Sequence, residues 1–128
     1  MADLPTPGIP SLQLLLIQPD RALGASLSLA LDEIGHTVTM VDRISAGTLG
    51  WVDDFIDLVI LDLDEVGPEV KFFLRCLPRP VVVCTRRTDP SFAEELRPLH
   101  VSSVLLKPFK MQVLYAAVAR GARLGTLR

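Results

Sequence analysis

Short apolar runs alternate with segments of helical periodicity along this chain, and this alternation restricts its possible folds more than any other feature. A continuous apolar run such as Leu12–Ile17 is typical of a strand that is covered on both faces of a sheet. Between such runs, apolar residues recur every three or four positions, as they do on one face of a helix. The predicted strands are Leu12–Ile17, Thr37–Val41, Leu58–Leu61, Pro80–Cys84 and Ser103–Leu106.

A helix is predicted after each strand. Asp20 and Asp89 are suited to cap the first and fourth helices, because a carboxylate accepts hydrogen bonds from the free N–H groups of a first turn. Gly35 is expected to end the first helix in a left-handed conformation, and Pro98 to end the fourth. The predicted helices are Arg21–Ile34, Ile44–Asp54, Glu69–Leu77, Pro90–Leu96 and Lys110–Leu124.

Strand–helix pairs joined by short connections predict an α/β fold, namely a three-layer α/β/α sandwich around a five-stranded parallel sheet. Right-handed crossovers between parallel strands place helices on both faces of such a sheet. The domain is predicted to span residues 12–124. A flexible, proline-rich tail is predicted at residues 1–11, and a short tail at residues 125–128.

Composition and charge exclude several classes of function. The chain has 128 residues, enough for one domain with a substantial core, and 49% of them are hydrophobic. The formal net charge is −2 without a basic block, so nucleic-acid binding by this domain has no electrostatic support. No apolar run is long enough for a membrane span. Met1–Pro10 lacks the pattern of a signal peptide, so a cytoplasmic location is expected.

The cysteines and histidines do not form a recognisable metal or catalytic motif. Cys76 and Cys84 are expected to be buried thiols in a reducing compartment, since neither belongs to a Cys-x-x-Cys pair. A structural zinc site needs about four clustered ligands, which this spacing does not supply. His36 and His100 are isolated, and ordinary structural or surface roles are expected for both.

Polar residues follow four of the predicted strands, at the point where each strand ends: Gln18, Asp62, Thr85 and Lys107. Ligands of open parallel sheets collect at the carboxyl ends of the strands, so the topology gathers these side chains in one place. A carboxylate that accepts a phosphoryl group needs positive charge nearby, which Lys107 supplies. A hydroxyl at Thr85 can donate to a phosphoryl oxygen. The sequence therefore predicts a phosphoryl-acceptor pocket.

These residues stand in Asp57–Leu63, Val81–Thr85 and Leu105–Phe109. On those motifs, the chain resembles the receiver domains of two-component response regulators (CheY-like domains) over roughly Leu12–Leu124. The resemblance implies a flavodoxin-like sheet with strand order 2-1-3-4-5. It implies that Asp62 accepts the phosphoryl group, that Thr85 and Lys107 contact it, and that the bond before Pro108 is cis.

The chain departs from this family where the metal ion would bind. Family receivers carry two acidic residues after the first strand that bind Mg²⁺, whereas this chain has Gln18 and Pro19, and only the following Asp20 is acidic. Mg²⁺ prefers octahedral oxygen ligation that includes carboxylates. We therefore expect no cofactor, with Mg²⁺ bound weakly if at all, and interpret the chain as a degenerate receiver, or pseudo-receiver.

Further departures lie around the acceptor. The small residue that normally follows the threonine is Arg86 here, and the switching aromatic residue of the family is Val104. The Arg86 guanidinium is expected either to pair with Asp62 in place of the missing cation or to point into solvent. Asp64 and Glu65 extend the acidic loop; they are expected to be solvated loop charges, with weak cation binding as the alternative.

Two alternative functions remain open. The first is a conventional receiver that a histidine kinase phosphorylates on Asp62. The second is a haloacid-dehalogenase-like phosphatase, whose Asp-x-Asp motif matches Asp62 and Asp64. Against the phosphatase, the motif lies on the third strand, Glu65 stands where a glycine is usual, and no acidic pair follows downstream to hold Mg²⁺.

The sequence thus predicts a signalling module and not an enzyme. Such a module would act through contacts with a protein: a histidine kinase, an effector domain or another signalling protein. In the resembling family, partner and dimer contacts use the fourth helix, fifth strand and fifth helix, here about Asp89 to Leu124. Plausible surface anchors in that segment, and in a homodimer, are Tyr115, Arg120 and Arg123.

Overall fold

A parallel sheet with the predicted strand order forms the centre of the computed structural model, which describes residues 11–45 and 47–126. Its strands lie side by side in the order β2-β1-β3-β4-β5, so the flavodoxin-like prediction is confirmed. All four neighbouring pairs are parallel. The strands are β1 (Gln13–Ile17), β2 (Thr37–Val41), β3 (Leu58–Asp62), β4 (Val81–Thr85) and β5 (Ser103–Leu106).

The helices begin and end close to the predicted positions. Asp20 caps the first helix by accepting from Leu23 N, at 3.1 Å, and Asp89 caps the fourth by accepting from Phe92 N, at 3.2 Å. Gly35 has a positive φ of 103° where the first helix ends. The helices are α1 (Arg21–Glu33), α2 (Thr48–Phe55), α3 (Pro68–Cys76), α4 (Pro90–Leu96) and α5 (Met111–Thr126).

Two helix ends differ from the predictions by more than one residue, and Pro98 does not mark the end of a helical segment. α2 begins at Thr48 and not at Ile44, because the side chain of Thr48 accepts from Ser45 N, at 2.9 Å, in a local turn that competes with the helix. Pro98 lies inside a 3₁₀ turn, Arg97–Leu99, that continues from α4. α5 extends to Thr126, beyond the predicted domain limit. Residues 1–10 of the predicted N-terminal tail, and residues 127 and 128, lie outside the described part of the chain.

Side chains alternate strictly between the two faces of the sheet, as the pleat of a strand requires. On one face Leu15, Val59 and Val83 pack with α2, α3 and α4. On the other face Leu16, Ile60 and Cys84 pack with α1 and α5. Both faces are buried, which explains why the strands read as continuous apolar runs. Within the described ranges, no helix is long and apolar enough to cross a membrane.

The two thiols have different environments, so the expectation that both are buried is wrong for one of them. Cys84 is buried in β4, while Cys76 is exposed at the end of α3. Burial, with a smaller contribution from the Asp62 charge, raises the pKa of Cys84 to about 12. His36 is buried, and its Nδ1 accepts a hydrogen bond from Leu12 N, at 3.1 Å. His36 thus has the structural role that was expected.

Candidate functional site: an acceptor-like pocket at the carboxyl edge of the sheet

Asp62 and Lys107 form a short ion pair at the carboxyl edge of the sheet. Lys107 Nζ lies 2.6 Å from Asp62 Oδ2, and the two side chains are 17% and 11% exposed. The pair joins the end of β3 to the segment after β5. The backbone holds Lys107 there, since Lys107 N donates to Thr85 O at 2.7 Å. The Lys107–Pro108 bond is cis, as the resemblance implied.

Gln18 lies beside Asp62, at a position where the resemblance implied an acidic metal ligand. Its Nε2 donates to Asp62 Oδ2 at 2.8 Å, and its Oε1 accepts from Asp20 N at 2.9 Å. The side chain is buried, with 4% of its surface exposed. In this orientation the amide presents N–H donors to the carboxylate and uses its oxygen to hold the start of α1. A donor cannot coordinate a cation.

The residues after β1 therefore do not fit Mg²⁺. Pro19 has no side-chain ligand, and the Asp20 carboxylate caps α1. Within residues 11–45 and 47–126, the structure contains no cluster of three or more histidine, cysteine or acidic residues that could hold a metal ion. The charge that neutralises Asp62 comes from Lys107 instead.

The Asp64 carboxylate, close to Asp62, accepts hydrogen bonds from two donors of its own. Its Oδ1 accepts from Thr85 Oγ1 at 3.0 Å and from Arg86 N at 2.8 Å. Its Oδ2 lies 3.7 Å from Lys107 Nζ. The hydrogen bond from the Arg86 backbone is the main cause that lowers the pKa of Asp64 below its usual value. The Thr85 hydroxyl and the positive charges of Lys107 and Arg86 lower this pKa further. The expectation that Asp64 is a solvated loop charge is wrong.

Arg86 does not pair with Asp62, so the idea that it replaces the missing cation there is wrong. Its Nη2 lies 3.6 Å from Asp64 Oδ2, and its side chain is 77% exposed. An ion pair this exposed contributes little to stability. The contribution of Arg86 to the pocket is its backbone N–H, which donates to Asp64 Oδ1. A backbone contact of this kind leaves no pattern in the sequence.

Arg87 was not recognised from the sequence, although it fixes the loop that carries Asp64. Its Nη1 donates to Asp64 O at 2.8 Å. Two further bonds to Asp89, at 2.6 and 2.8 Å, and the Phe92 ring, 5.0 Å from the guanidinium carbon, hold it in place. The Arg87 pair lowers the pKa of Asp89 well below its ordinary value. The sequence signal that could have identified this contact is Asp89, a residue of opposite charge two positions after Arg87.

Tyr115, proposed as a surface anchor, is half-buried, and its hydroxyl is directed at α1. Its hydroxyl donates to Ala30 O in α1, at 3.3 Å, and its ring packs against the core between the sheet and α5. Arg120 is exposed, as expected. So is Arg123.

Comparisons with solved structures show what this architecture resembles. The chain is similar to a CheY-like response regulator receiver domain from Methanospirillum hungatei, with 14% identity and a TM-score of 0.77 over 91% of this chain and 98% of that one. The signal receiver domain of a modulated diguanylate cyclase from Desulfovibrio desulfuricans matches with 18% identity and a TM-score of 0.76, over 92% and 98%. A response regulator from Thermotoga maritima matches with 20% identity and a TM-score of 0.75, over 89% and 99%.

At these identities the similarity establishes the fold, which is that of CheY-like receiver domains. No protein-family model matches the chain, and no curated protein matches its sequence.

Proposed function

We propose that this chain is a signalling module of the two-component type that works through protein contacts and without efficient Mg²⁺-dependent phosphorylation. The receiver fold and the Asp62–Lys107 pair support the signalling class. The altered surroundings of that pair support the atypical mode of action. The module binds a protein partner and is not itself an enzyme.

The observation that carries this proposal is the position of the Asp64 carboxylate. The resemblance implies that a phosphoryl group on Asp62 would contact Thr85 and Lys107. Asp64 already accepts from Thr85 Oγ1, at 3.0 Å, and lies 3.7 Å from Lys107 Nζ. The Asp64 carboxylate therefore already contacts the groups that a phosphoryl group would need. A phosphoryl group on Asp62 would have to displace Asp64 and would be repelled by its negative charge.

Gln18 is the second residue that disfavours Mg²⁺-dependent phosphorylation. Phosphoryl transfer depends on a cation that neutralises the developing charge on the phosphoryl oxygens. Gln18 directs its N–H at Asp62 Oδ2, at 2.8 Å, from the side of β1 where the acidic pair of a receiver would stand. The pocket thus keeps its lysine while it lacks the ligands for the metal.

Phosphorylation with acetyl phosphate, with and without Mg²⁺, tests the proposal by intact mass measurement. We expect no phosphoryl adduct on the wild-type chain. The variant Gln18→Asp, Pro19→Asp, Asp64→Asn restores two metal ligands and removes the competing charge, so it should gain one adduct when Mg²⁺ is present. Adding Asp62→Asn to that variant is the matched control, and it should abolish the adduct.

One observation favours the conventional receiver as a second candidate, because Asp62 and Lys107 retain a close ion pair at 2.6 Å. Mg²⁺-dependent labelling of the wild-type chain on Asp62 would establish that candidate and reject the atypical one. The phosphatase alternative has weaker support, because Asp64 accepts from both Thr85 and the Arg86 backbone and so is poorly placed to act as a free general acid. Hydrolysis of an aryl phosphate would revive it.

The exposed edge of β5 is the surface that we propose for protein contacts. Val104 and Leu106 are 51% and 50% exposed, and alternate residues of a strand share one face. β5 is an edge strand of the sheet, and no strand among the described residues pairs with its outer side. The proposed surface coincides with the segment in which the resemblance implies partner or dimer contacts.

Sedimentation of the purified chain over a range of concentrations tests the homodimer form of this contact. Leu106→Asp should weaken self-association, whereas Leu29→Asp is a control at an exposed leucine of α1, 61% exposed. Equal effects of the two substitutions would exclude β5 as the dimer surface. If the chain is a monomer at all concentrations, the homodimer is excluded, and β5 would contact a different protein. The same two variants would then test binding to that partner.

A further inference from the structure

A cavity of about 780 Å³ lies between α1 and the segment that joins β5 to α5. Leu23 and Leu27 of α1 form one wall, and Phe109 and Met111 form the other, while Ile60 forms part of the floor. The volume falls in the range of sites for small organic molecules, roughly 300–1,000 Å³, which are also mostly apolar with a few polar groups. The pocket for a phosphoryl group or a metal ion needs no apolar chamber of this size.

The polar end of the cavity reaches the acceptor carboxylate and carries an excess of negative charge. Three carboxylates line it, from Asp20, Asp62 and Asp64, against two cations, Arg86 and Lys107. Arg86 is 77% exposed and Asp20 is exposed as well, so water screens both charges. The Asp62 and Asp64 carboxylates then stand against Lys107. An anionic ligand would meet this acidic excess, whereas a cationic one would offset it.

Asp62, which lines this end, has one carboxylate oxygen to which a ligand could donate. Both donors to Asp62, Gln18 Nε2 and Lys107 Nζ, contact the same oxygen, Oδ2. Among the described residues, none donates a hydrogen bond to Asp62 Oδ1. The Asp62 side chain is 11% exposed, and a carboxylate so far removed from solvent gains most from a charged donor.

We infer that this cavity binds a small organic amine, with its apolar body between α1 and α5 and its protonated nitrogen on Asp62 Oδ1. The inference goes beyond the proposed function and does not depend on it, because it requires neither phosphorylation nor a protein partner. Binding at Asp62 would place a diffusible ligand in contact with the residues that a receiver uses to switch.

Titration of the ¹⁵N-labelled chain with hexylamine, hexanol and hexanoate tests the inference by NMR. The three probes share their apolar body and differ in the charge of the head group. Hexylamine should produce saturable shifts at amides that line the cavity, such as those of Leu27 and Met111. Hexanol should bind about tenfold more weakly, as expected for loss of one charge-assisted hydrogen bond, and hexanoate should not saturate.

Two substitutions, an alternative to one of them and a control distinguish the head-group contact from binding in the apolar part of the cavity. Asp62→Asn should lower the hexylamine affinity about tenfold and leave hexanol unaffected. Ala30→Phe adds a bulky ring at a residue that lines the chamber and should abolish binding of both probes. Ser26→Phe, from an exposed rim position, gives the same test if Ala30→Phe does not fold. Ala93→Phe, on the exposed surface of α4, should change neither affinity.

Three results would overturn the inference. The first is that hexylamine does not saturate, or shifts only residues remote from the cavity. The second is that hexanoate binds as tightly as hexylamine, which would contradict the charge argument. The third is that the same amides shift with protein concentration and not with amine, which would assign the cavity to a second copy of the chain.

Discussion

Thr85 donates its hydroxyl hydrogen bond to Asp64, at 3.0 Å, and not to Asp62. The Arg86 backbone N–H donates to the same Asp64 oxygen at 2.8 Å, while Lys107 and Gln18 donate to Asp62. The donors of the pocket are thus divided between two carboxylates. This division distinguishes the site from a pocket in which the same donors are free to bind a phosphoryl group.

Removal of the Asp64 carboxylate should destabilise the fold. Asp64→Ala leaves the buried Thr85 hydroxyl and the Arg86 N–H without their acceptor, which we expect to lower the free energy of unfolding by about 1–2 kcal/mol. The lower part of the usual range applies because the Asp64 side chain is 33% exposed and water can replace it in part. Urea unfolding measures the change.

Glu65→Ala is the control for that experiment, because Glu65 is an exposed neighbour that makes no hydrogen bond within the described part of the chain. Its effect should lie within about 0.5 kcal/mol of zero. If the two substitutions cost the same, the contacts of Asp64 do not stabilise the loop.

Restoring the acidic pair should create a metal site. We expect no saturable Mg²⁺ binding by the wild-type chain at about one millimolar, because Gln18 presents its N–H group to Asp62. Gln18→Asp with Pro19→Asp should bind more tightly, since it provides two hard oxygen ligands beside Asp62. Chemical-shift titration of the amides around Asp62 measures both affinities.

The control adds the same two charges at the opposite end of β1, as Ser11→Asp with Gln13→Asp, at exposed positions. It should not gain affinity. A saturable response of the wild-type chain would mean that the Gln18 side chain turns to offer its oxygen, and would contradict the metal argument.

The strand-end residues could be predicted because their positions follow from the topology. Once the apolar runs are recognised as parallel strands, Gln18, Asp62, Thr85 and Lys107 must lie at one edge of the sheet, whatever the details of their contacts. The Asp62–Lys107 pair follows from the same reasoning, and the structure brings the two side chains to 2.6 Å.

The role of Asp64 could not be predicted, because it depends on the path of a loop. Neither the period of a strand nor that of a helix applies after β3, and a solvated charge was the reasonable expectation for an acidic loop residue. The backbone of this loop is held by Arg87 from after β4, through a bond of 2.8 Å to Asp64 O. A contact between side chain and backbone, 23 positions apart, leaves no local pattern in the sequence.

Acid should destabilise the protein through His36. Burial lowers the pKa of His36 below its ordinary 6.5, and its Nδ1 must be unprotonated to accept from Leu12 N. Between that lowered pKa and pH 6.5 the unfolded chain binds a proton that the folded chain does not. Stability should therefore be constant above pH 6.5 with respect to this group and fall as the pH drops below it, by at most about 1.4 kcal/mol per pH unit.

Urea unfolding between pH 6.5 and about pH 5.5 measures this dependence. His36→Asn keeps a neutral acceptor near the position of Nδ1 and should flatten the slope. His100→Asn is the matched control at an exposed histidine with a positive φ of 56°, which asparagine tolerates, and it should retain the slope. If neither substitution alters it, His36 is not the titrating group.

Alanine substitutions at two helical glycines should change stability in opposite directions. A methyl group at Gly50 in α2 would meet no atom within 4 Å, so Gly50→Ala should raise the free energy of unfolding by about 0.5–1 kcal/mol, through the lower backbone entropy of the unfolded chain. At Gly121 in α5 the methyl carbon would lie 2.6 Å from Leu58 Cδ1, and Leu58 is fully buried in β3. Overpacking there costs about 1–3 kcal/mol, more than the helix gains, so Gly121→Ala should be destabilising. Urea unfolding compares the two variants, which carry the same glycine-to-alanine change. A Gly121→Ala variant as stable as Gly50→Ala would show that Leu58 can move to make room for the methyl group.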